Sequence, residues 1–379
     1  MSPTATRRLL ALHRWAGLIL SLNVLTFAVT GLILIFHDEL SDALAPVVEQ
    51  RPAGEPMPLR EAISIAKEKL PGADAVFVSR DLAHPQQVFV GLGKGSRKLQ
   101  DTKAVKVDLT TGNVDQRDFD ETFIGIVFHL HAQLMAGPIG GLLVGAIGLA
   151  LLFTLITGAV IYGPMMKRFV FGTLRRDKHR RNLFADLHKL VGVSIFGWLS
   201  LVVATGILLS LGSILLQIYS QNELRALAKV DATQQLIEGV PVVDAALAAA
   251  EKGSGGRQWT IAILPGSDLS SPRHFSILMS GGSGIEKRLL RIALVDAAQP
   301  SSASYHEFPL YLQALLISEP LHFGDYGGLP LKLLWTLFTL ALIVLSATGV
   351  YTFFSGRRRS PEKLSARTRS ELPAFEEAT

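Results

Sequence analysis

Four of the ten histidines in this chain fall into two matched pairs. Leu12-His13-Arg14-Trp15-Ala16-Gly17 opens an apolar stretch that reaches Thr30-Gly31, and Leu187-His188-Lys189-Leu190-Val191-Gly192 opens one that reaches Thr205-Gly206. A single offset aligns the two histidines, the two glycines that follow them and the two Thr-Gly steps. A second offset aligns Leu130-His131 and Thr157-Gly158 with Leu321-His322 and Thr348-Gly349. Each histidine stands at the end of an apolar segment, and each pair takes one member from each half of the chain. One histidine at such a place is ordinarily an interfacial anchor; an anchor has no reason to recur at a fixed distance from Thr-Gly.

Neutral imidazole is a good ligand for haem iron, and two of them fill both axial positions. Zinc asks for four ligands, or three and a water, and neither histidine pair has a matched acidic partner. The chain contains no Cys, so thiolate-held metals and Cys-x-x-Cys-His haem attachment are excluded. The spacing therefore points to two non-covalent haem b groups, one held by His13 and His188 and one by His131 and His322. His129 competes with His131, but two residues on a helix point about 200° apart, and the offset sets His129 against Pro320. His129 remains a substrate-side residue or an alternative ligand. Arg7, Arg8, Arg14 and Lys189 lie near the first pair and are possible partners of haem propionates; they serve equally as topology determinants at the lipid headgroups.

The elements that must carry these side chains are membrane spans. Of 379 residues, 49% are hydrophobic and only 18% charged, and a hydrocarbon core needs roughly 20 apolar residues in a helix. Four runs qualify, at 12–36, 139–162, 190–216 and 329–354, with only Arg14 and Lys332 inside them, near ends where they can snorkel. The formal charge of +5 is no nucleic-acid signal, because the basic residues cluster where spans end. Arg7 and Arg8 precede the first span. Lys167, Arg168, Arg175, Arg176, Lys178, Arg180 and Arg181 fill the loop between the second and third, and Arg357, Arg358 and Arg359 follow the fourth. The positive-inside rule puts all three groups, and both termini, in the cytoplasm.

The expected organisation is a cytoplasmic N-terminus and first span (1–36), an outer domain (37–122), an interfacial helix and second span (123–163), and a basic loop (164–186). The third span (187–216), a second outer domain (217–306), an interfacial helix with the fourth span (307–354) and a cytoplasmic tail (355–379) repeat that order. Pro46, Pro52, Gly54, Pro56 and Pro58 make a linker into the first outer domain. Apolar residues at helical spacing predict a helix over 58–70, followed by strands at 75–79, 87–91 and 104–109. A helix at 241–251 and strands at 258–264, 274–279 and 288–295 repeat the pattern. The apolar stretches 123–135 and 308–321 are too short to cross and stop at Gly/Pro breaks, which suits interfacial or re-entrant helices.

The chain resembles the PepSY-associated transmembrane-helix family over about 5–355, on Leu12-His13-Arg14-Trp15-Ala16-Gly17, on His188-Lys189-Leu190-Val191-Gly192, and on the Val107-Asp108-x-x-Thr111-Gly112 turn. The second outer domain departs from that turn, with Val295-Asp296 followed by Ala-Ala-Gln-Pro. The resemblance implies an α-helical integral membrane protein of the bacterial inner membrane, with four transmembrane helices in two repeats and two small α+β PepSY-like periplasmic domains. It also implies two haem b groups and the activity of the family's iron-regulated members, ferric-siderophore reduction.

The expected function is thus a haem-dependent oxidoreductase, a di-haem conduit passing electrons from a soluble cytoplasmic flavoenzyme or a membrane quinol to a ferric siderophore outside, releasing ferrous iron. No Gly-rich nucleotide fingerprint is present, so the donor must be another molecule. Two other classes compete. An inward siderophore or iron transporter would use the halves for alternating access, but its spans would want polar mid-membrane sites, and these offer only Asn23, Ser and Thr. A non-enzymatic scaffold would use the outer domains to bind a partner. The absorption spectrum discriminates, since only the conduit is coloured.

Overall fold

The computed structural model describes residues 2–44, 55–80, 82, 84–115, 119–166, 172–176, 179–230, 233–282 and 289–355. Lys167, Arg168, Lys178, Arg357, Arg358 and Arg359, the linker residues Pro46, Pro52 and Gly54, and Arg288 at the start of an expected strand lie outside the described residues. The chain divides into two compact units, one of Met1–Leu32, Ile147–Val203 and Thr336–Thr379, the other of Ile33–Ala146 and Ala204–Trp335.

The first unit is built mainly from long apolar helices. These are α1 (Pro3–Leu34), α5 (Gly137–Met166), α6 (Arg180–Ser194), α7 (Phe196–Ser210) and α12 (Gly328–Ser355); residues 33–34, 137–146, 204–210 and 328–335 of these helices belong to the second unit. Three stretches, Thr4–Leu34, Gly137–Gly163 and Gly328–Ser355, are long and apolar enough to cross a membrane. Side chains such as Ile19, Leu22, Ile139 and Leu337 stand outward with more than half their surface uncovered, as lipid contact requires. The protein is therefore membrane-embedded.

The third expected span is not one helix. α6 and α7 meet at Ile195 with a bend of 65°. No proline causes it. Ser194 turns its hydroxyl back to the Leu190 carbonyl at 3.0 Å, and Gly192 and Gly197 flank the break; Gly/Ser steps of this kind are where unprolined helices kink. A continuous apolar run cannot report such a bend. α6 starts at Arg180, so His188 lies in the middle of a helix rather than at its start, and His13 lies well inside α1 for the same reason.

In the second unit, α2 (His37–Leu44) and α3 (Leu59–Lys69) precede strands β1 (Asp74–Arg80), β2 (Gln87–Gly93), β3 (Thr102–Asp108) and β4 (Val114–Asp115), and then α4 (Phe123–Gln133). Further on come α8 (Gly212–Tyr219), a π turn (Ser220–Leu224), the one-turn α9 (Arg225–Leu227) and α10 (Val243–Lys252). Strands β5 (Gln258–Ile263), β6 (His274–Ser280), β7 (Arg291–Asp296) and β8 (Ala303–Glu307) lead to α11 (Leu310–Phe323). Leu59, Ala62, Ile63 and Ala66 form the buried stripe of α3, and Val243, Ala246, Leu247 and Ala250 that of α10. Both stripes cover one face of the strands, over Val78, Val88, Val90, Ile277, Met279 and Val295.

The two sets of strands are halves of one sheet rather than two separate sheets. The order is β4-β3-β2-β1-β5-β6-β7-β8, joined where Phe77, Val78 and Ser79 face Ile263, Ala262 and Ile261 antiparallel. Pairing β1 with β5 removes the two long edges that separate four-stranded sheets would expose. Side chains reinforce the joint. Asp244 of α10 accepts the Leu59 and Arg60 amides at the start of α3 (2.7 and 3.2 Å), where Pro58 offers no side-chain cap. Arg80 of β1 lies 4.3 Å over the Trp259 ring, donates to the Trp259 carbonyl, and pairs with Glu251.

The unequal turns after β3 and β7 do the same work. Asp108 accepts the Thr110 and Thr111 amides at 2.9 Å, and Asp296 accepts the Ala298 amide at 2.9 Å. The aspartate builds the turn in both; the first adds Gly112, left-handed at φ 69°, whose amide closes on the Asp108 carbonyl at 2.8 Å.

Candidate functional site

α1 and α5 meet at His13. The ring is half-buried, and its Nδ1 lies 3.0 Å from the Thr154 carbonyl oxygen and 3.2 Å from the Thr157 hydroxyl. A carbonyl only accepts, so Nδ1 carries the proton and Nε2 of the neutral ring keeps its lone pair. The Thr157 hydroxyl donates to the same Thr154 carbonyl at 2.9 Å, which leaves its oxygen lone pairs facing the imidazole. Gly158 follows, and a Cβ there would stand 3.0 Å from His13 Cε1. The glycine lets the ring lie against the helix backbone.

The same docking recurs between α6 and α12. His188 Nδ1 donates to the Leu345 carbonyl at 2.9 Å, with the Thr348 hydroxyl at 3.3 Å. A Cβ on Gly349 would meet His188 Cε1 at 3.1 Å. Of the expected propionate partners, Lys189 has its Nζ 3.5 Å from Asp186, which also holds Arg175 through two bonds of 2.8 Å. Arg14 sits over the Phe353 ring at 5.4 Å. Arg7 and Arg8 are exposed in the first turns of α1.

The second unit holds the other pair. His322, near the end of α11, has its Nδ1 3.2 Å from the Thr205 hydroxyl of α7, and a Cβ on Gly206 would stand 3.0 Å from its Cε1. The His131 ring of α4 faces it with centroids 6.2 Å apart and planes at 70°. A ligating nitrogen would sit about 2 Å from its metal and the ring centre roughly 1.2 Å further, so two imidazoles holding one ion from opposite sides would have centres about 6.4 Å apart. The observed 6.2 Å is close to that distance. Among the described residues no group of three or more His, Asp or Glu is placed to hold a metal.

His129 is occupied at both ends. Its Nε2 lies 2.7 Å from Asp120 Oδ1 and its Nδ1 3.3 Å from Gln133 Oε1. After α4 the chain turns through left-handed Leu134 and Met135 (φ 48° and 58°), a conformation that L residues adopt at a cost. It ends the His131 helix abruptly before α5.

Two features escape a reading by residue type. Thr-Gly marked the repeat but showed no sign of being what the histidines dock against; the clue was that each Thr-Gly kept a constant distance from a histidine. Lys332 does not snorkel. It is 7% exposed and donates to Glu39 Oε1 and Oε2 at 2.7 and 2.9 Å, because α2 brings carboxylates within its reach. The bond to Lys332 holds the Glu39 carboxyl below its ordinary range.

Comparison with known proteins gives two findings. The profile of the family described as PepSY-associated TM region matches residues 10–355. The uncharacterized protein PA4219 of Pseudomonas aeruginosa is 25% identical over 260 residues, which cover 63% of this chain and 65% of that protein's length.

Proposed function

Because this chain belongs to the PepSY-associated TM region family, we propose that it is a di-haem b electron conduit of the bacterial inner membrane, reducing ferric siderophore on the periplasmic side. The reading takes four spans in two repeats, the bent α6–α7 pair being one span. Both termini are then cytoplasmic and the eight-stranded sheet periplasmic. A resemblance to di-haem ferric-siderophore reductases motivates the substrate.

The observation that carries the reading is the His131–His322 pair, 6.2 Å between ring centres, with the His322 Nδ1 side engaged by Thr205. His13 and His188 present the same chemistry in the other unit, their Nδ1 protons fixed on carbonyls and their Nε2 lone pairs available. Partners of this kind set the tautomer and orientation of a ligating histidine. Haem b, when bound, supplies reversible one-electron chemistry between ferric and ferrous iron.

The protein's part is to hold two such groups at fixed positions and to keep water from them with Leu, Val and Phe side chains. One electron enters from a cytoplasmic flavoenzyme or a membrane quinol, and one leaves to the ferric chelate. The chelated Fe(III) becomes Fe(II), which hard oxygen donors hold less well. No proton needs to move at the substrate, so no general acid or base is required. The purified protein should show reduced α and Soret bands of a low-spin b-type haem, reoxidised by a ferric hydroxamate. A colourless preparation after haem-replete expression would leave the transporter or scaffold readings.

A further inference from the structure

Lys332 stands in the second turn of α12 and is 93% covered. A buried ammonium is tolerated when paired, and a pair of ions in a membrane helix marks function more often than stability. Its Nζ is bonded to both oxygens of Glu39 (2.7 and 2.9 Å) and lies 3.9 Å from Asp38 Oδ2. Asp38 in turn holds His37 Nε2 at 3.0 Å.

This cluster packs against the turn that carries His322, and it does so from two elements. From α2, the His37 ring lies 6.2 Å from the Phe323 ring, itself 6.0 Å from His322. From α12, Trp335 lies one turn beyond Lys332 on the same helix face. It donates its indole N–H to the His322 carbonyl at 3.2 Å and packs against Gly324, where a Cβ would stand 2.6 Å from the ring. A latch between α2 and α12 could be built from apolar side chains at no loss of stability. Fixed charges beside a ligand pair do something apolar contacts cannot.

We propose that the Lys332–Glu39 ion pair sets the reduction potential of the metal held by His131 and His322, an inference that rests on the di-haem reading. A nearby cation stabilises the added electron and raises the potential; a nearby carboxylate lowers it. Lys332 is almost wholly covered while the Glu39 and Asp38 side chains are more than half exposed, so the ammonium should act the more strongly of the two. Held together, the two charges oppose each other, and the potential reflects their balance. Removing Glu39's charge leaves Lys332 balanced less fully, with Asp38 3.9 Å away, and removing that of Lys332 leaves Glu39 and Asp38.

The test is a spectroelectrochemical titration of the purified, haem-loaded full chain, with the His131–His322 component identified as the one missing from His322→Ala. Glu39→Gln, which keeps shape, should move that component's midpoint up. Lys332→Met should move the same component down, and Lys332→Arg should restore it. Each shift should reach at least tenfold in the reduction equilibrium constant, about 59 mV for one electron, while the other component stays. Two haems with both midpoints unmoved in Glu39→Gln, or shifts of one sign in both charge-removing variants, would overturn the proposal. Should Lys332→Met not hold haem, Glu39→Gln decides alone. A wild-type chain that binds no haem would instead remove the di-haem reading itself.

Discussion

His188 Nδ1 lies 2.9 Å from the carbonyl oxygen of Leu345, one helix away. That contact fixes which ring nitrogen bears the proton and points the other away from the helix it docks on. His13 repeats the arrangement on the Thr154 carbonyl at 3.0 Å. In both, a threonine hydroxyl stands beside the carbonyl and a glycine beside the ring.

The threonines are supports, and their loss should be felt as such. Thr348→Val removes the hydroxyl at 3.3 Å but leaves the carbonyl. Haem should still bind, with affinity reduced by roughly tenfold, the lower end of what outer-sphere partners contribute. Transfer of haem to an apo-globin acceptor measures it; an unchanged transfer rate would show that the hydroxyl is a bystander.

Glycine beside the ring makes a steric prediction with a built-in control. Gly206→Ala puts a methyl 3.0 Å from His322 Cε1, a distance that forces the ring to yield by a few tenths of an ångström, whereas Gly197 on the same helix has nothing within 4 Å. The Gly206 variant should alter the low-spin signal in electron paramagnetic resonance, and Gly206→Leu should abolish it for one haem. Gly197→Ala should match wild type. Equal spectra in all three would contradict docking at Gly206.

Much of this was legible in the sequence. The matched histidine offsets and the period-two apolar pattern of strands such as 87–91 and 104–109 are local signals, and six of the eight strands among the described residues fall where that pattern lies. What joins distant parts was not legible. The pairing of Val78 with Ala262 leaves no mark on either strand, because a buried central strand reads alike whichever neighbour it has. β4 and β8 lacked a strong pattern, being short or half-exposed. The bend at Ile195 is written only as a Ser and two Gly in an apolar run. Lys332 looked like an end-of-span lysine because nothing near it in sequence shows that Glu39 will arrive.

The shared sheet predicts that its halves unfold together. Arg80→Ala removes a cation–π contact at 4.3 Å, a bond to the Trp259 carbonyl and the pair with Glu251. It should cost about 1–3 kcal/mol without splitting the transition followed by tryptophan fluorescence. Two separated transitions in the wild-type sheet would mean that the halves are independent.

Acid should weaken the same region through Asp296. Its bonds to Arg273, 2.6–2.8 Å long, hold the carboxyl below the usual carboxylate range. A lowered folded-state pKa favours the folded form above the unfolded value of about 3.9, and the contribution disappears as pH falls through the folded value. Denaturation curves from pH 5 downward should therefore lose stability more steeply in wild type than in Asp296→Asn. Parallel curves would show that the pair contributes nothing.

The most direct test of the conduit is a haem count by pyridine haemochrome on the wild type and on single alanine variants of His13, His188, His131 and His322. The account predicts two haem b per wild-type chain and one in each variant, with His13→Ala and His188→Ala losing the same spectral component and His131→Ala and His322→Ala losing the other. A count unchanged in all four variants, or a wild-type chain without porphyrin, would contradict it.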